Sequence, residues 1–327
     1  MCTAISFTAG DHYFGRNLDL EYSNQETITI VPRSHPLHFR HMGDMPQHYA
    51  MIGVAYMPDQ YPLYYDAVNE HGLGMAGLNF PGNAAYFASL ESCDNVASFE
   101  LIPWILGQCA TVQQARPLLS RLCLTDDAYS PELPPSPLHW MLSDREESVV
   151  IEQAQDGLHV YNNPVRVLTN NPPFPWHMTH LSHYMSLTAG TPSNTFAPAL
   201  TLTHYSRGMG ALGLPGDCSS SSRFVRAAYH LHHAACEETE TSAVSQFFHI
   251  LGSVAFPRGS VMLEDGRAEI TVYTVCCNVT RGIYYYTTYD NSAITAVDMM
   301  QENLDGCELI GYPLLQDQRI MLQNQRS

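Results

Sequence analysis

The hydrophobic period of this chain switches between two and about 3.6 residues, and the order of those switches limits the folds open to it. Residues 3–7 and 13–18 read as short strands, with Gly10 and Asp11 in a hairpin turn between them. Residues 26–31 alternate polar and β-branched side chains, as a half-buried strand does. Residues 50–56 and 73–80 continue the β pattern, and the stretch 57–65, rich in Pro and Tyr, reads as a loop between them. From Ser98 the period lengthens: Phe99, Ile102, Ile105, Leu106 and Cys109 share one helical face. A second helix is expected over 112–122, interrupted by Pro117. Residues 130–137 are proline-rich and read as a loop, followed by strands at 138–142, 148–153 and 158–161. A helix is expected near 176–186, after Pro172, Pro173 and Pro175, and further helices at 219–235 and 244–255. Residues 270–277, 283–289 and 294–298 return to strand. Strands, then helices, then strands, twice over, predict α+β layering. With no repeat or low-complexity linker, residues 1–327 read as one domain: two stacked sheets with helices outside.

Composition narrows the functions. Hydrophobic residues make up 45% and charged residues 14%, a globular rather than a disordered balance. Net charge is −17, from 15 Lys+Arg against 32 Asp+Glu. That balance argues against nucleic acid and against anionic membrane surfaces, both of which need clustered basic residues. No apolar run approaches the ~18 residues of a membrane span, and no basic segment followed by an apolar run marks a signal peptide. Nine cysteines occur without paired spacing. An odd count and no secretion signal predict reduced thiols in a cytosol. Cys276-Cys277 sit side by side in a strand-like run and read as core or surface thiols.

The chemistry starts at Met1-Cys2-Thr3. Cys2 is small enough for an aminopeptidase to remove Met1, which would leave a thiol and a free α-amine on one residue. An α-amine has a pKa of roughly 7.7–8.0, so it can act as base toward its own side chain. The competing reading is a small apolar residue opening a buried strand. In Gly15-Arg16-Asn17-Leu18-Asp19, alternation puts Arg16 and Leu18 on one face and Asn17 and Asp19 on the other. A paired strand brings this segment beside Cys2, where a guanidinium favours thiolate and a carboxylate can orient an amine. Read in isolation, Arg16 and Asp19 make a surface ion pair. Asn79, before Phe80-Pro81, and Asn170, before Asn171-Pro172, each end a strand-like run and can offer N–H donors to an oxyanion. Arg223 sits in the first turn of a helix capped by serines, against the helix dipole. His230, His232 and His233 cluster on the same helix, but no metal-ligand spacing accompanies them.

Together and in order, these segments resemble the choloylglycine hydrolase family of bile salt hydrolases and penicillin V acylases, within the N-terminal-nucleophile hydrolases. The match runs essentially the whole length: Met-Cys-Thr, Phe-Gly-Arg-Asn-Leu-Asp, Ala-Gly-Leu-Asn-Phe-Pro, Leu-His-Trp-Met-Leu-Ser-Asp, Leu-Thr-Asn-Asn-Pro, Gly-Leu-Pro-Gly-Asp, Ser-Arg-Phe and Gly-Ile-Tyr-Tyr-Tyr. The resemblance implies a four-layer αββα sandwich of two mainly antiparallel sheets flanked by helices. It implies cleavage of a non-peptide C–N amide by Cys2 after loss of Met1, without a cofactor or metal. It matches Arg16, Asp19 and Arg223 to the residues beside the nucleophile, and Asn79 (backbone) and Asn170 (side chain) to the oxyanion hole. The Asn79 motif is closer to the bile-salt branch, which implies glycine- or taurine-conjugated bile acids as substrates. Penicillin V or another acylated amide is the near alternative, and a non-catalytic binding protein the distant one. The family's substrate loops match 21–25, 57–65 and 126–137, and Leu20, Tyr22, Met57, Tyr61, Tyr65, Phe80 and Leu133 are the expected binding residues. The resemblance also implies a homotetramer, in the cytoplasm that the cysteine count and the missing secretion signal predict.

Overall fold

Almost every alternating segment is taken up by one of two antiparallel sheets. The computed structural model describes residues 1–324. Strands Cys2–Ala9 (β1) and Asp11–Leu20 (β2) form a hairpin in unbroken register, from Cys2 opposite Leu18 to Ala9 opposite Asp11. Gly10 turns it at φ +67°, a conformation that favours glycine. The first sheet runs in the order Val167–Leu168, β1, β2, Ala268–Asn278, Ile283–Thr288 and Thr295–Asp298, with Val261–Met262 also pairing Ala268–Asn278. The second runs Gly157–Asn162, Ser148–Ala154, Leu138–Ser143, Gly74–Asn79, Leu63–Asn69, Met51–Tyr56, Thr27–Val31 and Ile310–Pro313.

Their facing sides share a core that includes Ala4, Phe14 and Leu18 from the first sheet and Ile28, Val54, Leu78 and Met141 from the second. Helices α1 (Leu101–Leu106) and α2 (Val112–Leu119) cover the outside of the second sheet, burying Leu101, Ile105 and Val112 against Met75, Trp140 and Ile151. Helix α3 (Phe174–Leu181) lies against α4 (Ser220–His232), and α4 and α5 (Glu240–Gly252) cover the first sheet. Ser219 caps α4, accepting from the Ser222 amide. The layers are therefore α, β, β, α, as the alternation and helical periods predict.

Two expectations need correction. The loop expected over 57–65 ends early: Leu63–Asn69 is a strand, with Tyr64 opposite Ala55 and Leu63 opposite Tyr56. Its place between two strands supplies hydrogen bonds that the local Pro and Tyr content does not foretell. The cysteines are not all reduced. Cys93 and Cys123 form a disulfide with Cα atoms 5.9 Å apart. The parallel pairing of Asp94–Ala97 with Leu122–Thr125 brings them together, so the expected cytosolic location loses the support of nine free thiols. Cys276 and Cys277 are both buried thiols. No helix among the described residues is long and apolar enough to cross a membrane.

Two measurements test this packing. A Cβ on Gly15 would lie 2.0 Å from the main-chain oxygen of Val275. Gly15→Ala should therefore cost about 3 kcal/mol or more in urea unfolding, because backbone rather than a side-chain tip must yield. His12 is buried, with Nδ1 2.8 Å from Thr8 Oγ1. Burial, and next the nearby Arg166, pull its pKa from 6.5 down to about 3. The folded state thus binds the proton less tightly than the unfolded chain, so stability from neutral His12 is present above about pH 6.5 and fades as pH falls. The stability advantage of wild type over His12→Gln should shrink by about 2 kcal/mol between pH 7 and 5.

Candidate active site

Alternation along the first hairpin sorts its side chains between two environments. Ser6 Oγ accepts from Ser143 Oγ of the second sheet at 2.9 Å, so Cys2, Ala4 and Ser6 face that sheet. Arg16 and Leu18, opposite Ala4 and Cys2, face the same way. Thr3, Asn17 and Asp19 face the helices: Asn17 Nδ2 donates to Leu251 O (2.9 Å), and Thr3 Oγ1 accepts from Arg223 Nη1 (2.7 Å).

Cys2 is 2% exposed and lies at the floor of a cavity of about 300 Å³. Its amide N–H donates to Asn170 Oδ1 at 2.9 Å. Its carbonyl accepts from Arg223 Nη1 at 2.5 Å, and Arg223 Nη2 donates to Asn170 Oδ1 at 2.7 Å. Burial lowers the pKa of Arg223, with the charges of Asp19 and Cys2 opposing. On the cavity side, Arg16 Nη1 donates to Tyr65 O (3.0 Å) and Gly77 O (2.6 Å), while Nη2 has no protein partner. Burial alone would lower the Arg16 pKa, but the facing charges of Cys2, Tyr273, Asp66 and Asp19 raise it and keep the group cationic. Residue 2 is therefore flanked by a guanidinium on each face of its sheet.

Asp19 is fully buried. Its Oδ1 accepts from Thr271 Oγ1 (2.6 Å), and Oδ2 has no partner. Burial raises its pKa against the opposing pull of Arg223, the chain amine, Thr271 and Arg16. A bulge in the neighbouring strand Ala268–Asn278 shifts its pairing with β2 between Thr271 and Tyr273. Met1 extends β1: the Asp19 amide donates to Met1 O at 2.8 Å, and the Met1 amine pairs with Glu269. Burial lowers the pKa of that amine. Asn170 Nδ2 donates to the Asn79 carbonyl at 2.8 Å. Two segments that are 91 residues apart in sequence thus meet beside Cys2.

The structure gathers Cys2, Arg16, Asp19, Asn79, Asn170 and Arg223 into one place. Arg16 and Asp19 are buried rather than a surface pair. Leu20, Tyr22, Tyr65 and Leu133 line the cavity. Phe80, Met57 and Tyr61 are not among the lining residues. Phe80 is buried and stacked on His139, and the Met57 sulfur accepts from Thr29 Oγ1. Tyr61 packs against Phe99 and Tyr129, which form the wall in its place. Sequence reading missed Phe99, Ile102, Leu138 and Trp140 as lining residues, because their apolar periodicity reads as core. Among the described residues no group of three or more His, Cys, Asp or Glu is arranged to hold a metal ion.

A buried thiol on a residue flanked by two cations, with converging amide groups and a largely apolar cavity beside it, suits attack on the carbonyl of an acylated amine. Residues 2–312 match the family model for linear amide C–N hydrolases of the choloylglycine hydrolase family. The bile salt hydrolase/transferase of Lactiplantibacillus plantarum is 50% identical over 314 residues, covering 96% of this chain and 97% of that one. The crystal structure of the C2A mutant conjugated bile acid hydrolase from Clostridium perfringens superposes with a TM-score of 0.92 at 35% identity, covering 99% of this chain and 100% of that one. Penicillin V acylase from Agrobacterium tumefaciens shares the fold, with a TM-score of 0.75 at 17% identity, covering 95% of this chain and 90% of that one. This chain therefore belongs to the choloylglycine hydrolase family of linear amide C–N hydrolases.

Proposed function

We propose that this enzyme hydrolyses glycine- or taurine-conjugated bile acids through Cys2, acting as one domain from which Met1 has been removed. The observation that carries the reading is the position of Cys2 at the cavity floor, with Arg16 and Arg223 on either side and Asn170 on its nitrogen. Loss of Met1 turns the nitrogen that now bonds Asn170 into a free α-amine, able to take the thiol proton. The thiolate attacks the amide carbonyl carbon. The resulting oxyanion is stabilised by the Asn79 backbone and the Asn170 side chain, a contribution worth about 10²–10³ in rate per donor in comparable sites. The amine then protonates the leaving nitrogen, the C–N bond breaks and a thioester remains. Water cleaves the thioester and releases the free bile acid. A thioester also reacts with amines, in keeping with relatives named hydrolase/transferase. Arg16 and Arg223 hold positive charge beside the sulfur, and Asp19 orients the amine.

Leu20, Tyr22, Tyr65 and Leu133, joined by Phe99 and Tyr129, would contact the steroid body. The cavity is near the lower end of the roughly 300–1,000 Å³ usual for small-molecule sites. Assembly as a homotetramer belongs to the same reading: Met185 (84%), Phe196 (85%) and Tyr205 (80%) are exposed apolar side chains that subunit contacts would cover.

Incubation with taurocholate, glycocholate and penicillin V tests the substrate, and the expected outcome is faster release of taurine or glycine than cleavage of penicillin V. The reverse order would favour the acylase alternative. Cys2→Ala should abolish turnover at an unchanged unfolding midpoint, and the mass of the active protein should correspond to a chain beginning at Cys2. An intact Met1 on active enzyme would refute the mechanism. Light scattering should give four times the chain mass.

A further inference from the structure

The Leu138–Ser143 strand carries a histidine that the reaction above does not use. His139 is 0% exposed. One step beyond the Trp140–Ile151 rung it faces Glu152 on the neighbouring strand, with Nδ1 3.0 Å from Glu152 Oε1. Its Nε2 lies 2.8 Å from the main-chain oxygen of Thr169. A carbonyl oxygen only accepts, and so does an ionised carboxylate. A neutral imidazole has one N–H and can satisfy only one of the two. The other nitrogen would then turn a lone pair onto oxygen in a buried site, where an unmade hydrogen bond is costly. Both contacts are satisfied only when the couple holds one further proton, as imidazolium facing carboxylate or as neutral ring facing carboxylic acid. In either arrangement Nε2 keeps its hydrogen toward Thr169.

Thr169 precedes Asn170, and the same short segment is held at several other points. The Asn170 amide donates to Ser220 Oγ (2.8 Å), and Thr169 Oγ1 donates to Ser220 O (3.1 Å). The Asn170 carbonyl accepts from His177 Nε2 at 2.9 Å. His177 is neutral near pH 7, since burial pulls its pKa down to about 4. On the face of the His139 ring, Phe80 stacks with centroids 4.3 Å apart and planes 7° from parallel. Phe80 directly follows Asn79. One imidazole therefore touches both segments that carry the amides beside Cys2. Glu152 Oε1 also accepts from the Phe174 amide at the start of α3 (3.0 Å). The other titratable groups facing the couple are Tyr161 on the Gly157–Asn162 strand and His177 on α3, with Arg223 of α4 beyond His177.

We propose that His139 and Glu152 are positioning residues, a buried hydrogen-bonded couple that fixes residues 169–170 and Phe80 and so sets the spacing of Asn79 and Asn170 over Cys2. The proposal rests on the role given to Asn170 above. It makes catalysis depend on two side chains that never meet substrate.

The test has two arms. In the full-length wild-type protein labelled with ¹⁵N-histidine, with His139 assigned from His139→Gln, Nε2 should carry a hydrogen at about pH 8, as donation to the Thr169 carbonyl requires. In the second arm, Glu152→Gln should lower kcat about 10- to 100-fold, the scale of a misplacement near 1 Å, with KM changed by less than about threefold. An Nε2 without hydrogen at about pH 8 in wild type overturns the proposal, even if Glu152→Gln fails to fold. So does wild-type kcat in Glu152→Gln where Asn170→Ala is inactive. Wild-type kcat in Asn170→Ala instead overturns the oxyanion reading, and with it the positioning role, whatever the NMR arm returns.

Discussion

The start of the chain is locked into the interior of a sheet, and the rest of the site depends on that constraint. First residues usually fray unless they are tied down. Here β1 lies between Val167–Leu168 and β2, with Cys2 paired to Leu18. Asn170 accepts its N–H, and Arg223 holds its carbonyl from the helix layer. A side chain at this position cannot wander, because β2 on one side, the Asn170 side chain on the other and the arginine behind it set its backbone. Sequence period becomes site geometry in one step: alternation sends the sulfur toward the second sheet, where the cavity lies.

Holding two guanidinium groups inside a protein is costly unless each is paired or bonded. Arg223 meets this with bonds to Cys2, Thr3, Asn170 and Cys218. Arg16 spends one nitrogen on carbonyls of the second sheet and leaves another free toward the cavity. Two buried carboxyls compensate. Asp19 lies on the helix side, and Asp66 lies between the sheets, accepting from the hydroxyls of Tyr273 (3.0 Å) and Tyr284. Burial raises the pKa of both, and the arginines pull it back. The pattern is that of a functional site, where burial and charged partners together shift pKa values.

What the sequence disclosed follows from the range of each signal. The β1–β2 hairpin was legible because turn, alternation and register are all local. Asn79 and Asn170 were legible as strand ends but not as neighbours, since only the stacking of two sheets brings them to 2.8 Å. Phe99 and Trp140 carry the same periodicity whether they face a core or a cavity. The Cys93–Cys123 bond and the His139–Glu152 couple were invisible for a related reason. Each joins residues whose meeting depends on strand pairing rather than on any spacing along the chain.

One part of the cavity wall comes from connecting segments, including Tyr22, Tyr129 and Leu133, whereas Cys2, Arg16 and Leu18 belong to paired strands. Chain that is free of ladder hydrogen bonds tolerates insertion and exchange far better than chain within a sheet. Molecular evolution can therefore retailor which acyl group enters by rewriting those connections, and leave the cleaving apparatus untouched. An engineer seeking a new leaving-group or acyl preference would find permissive positions there.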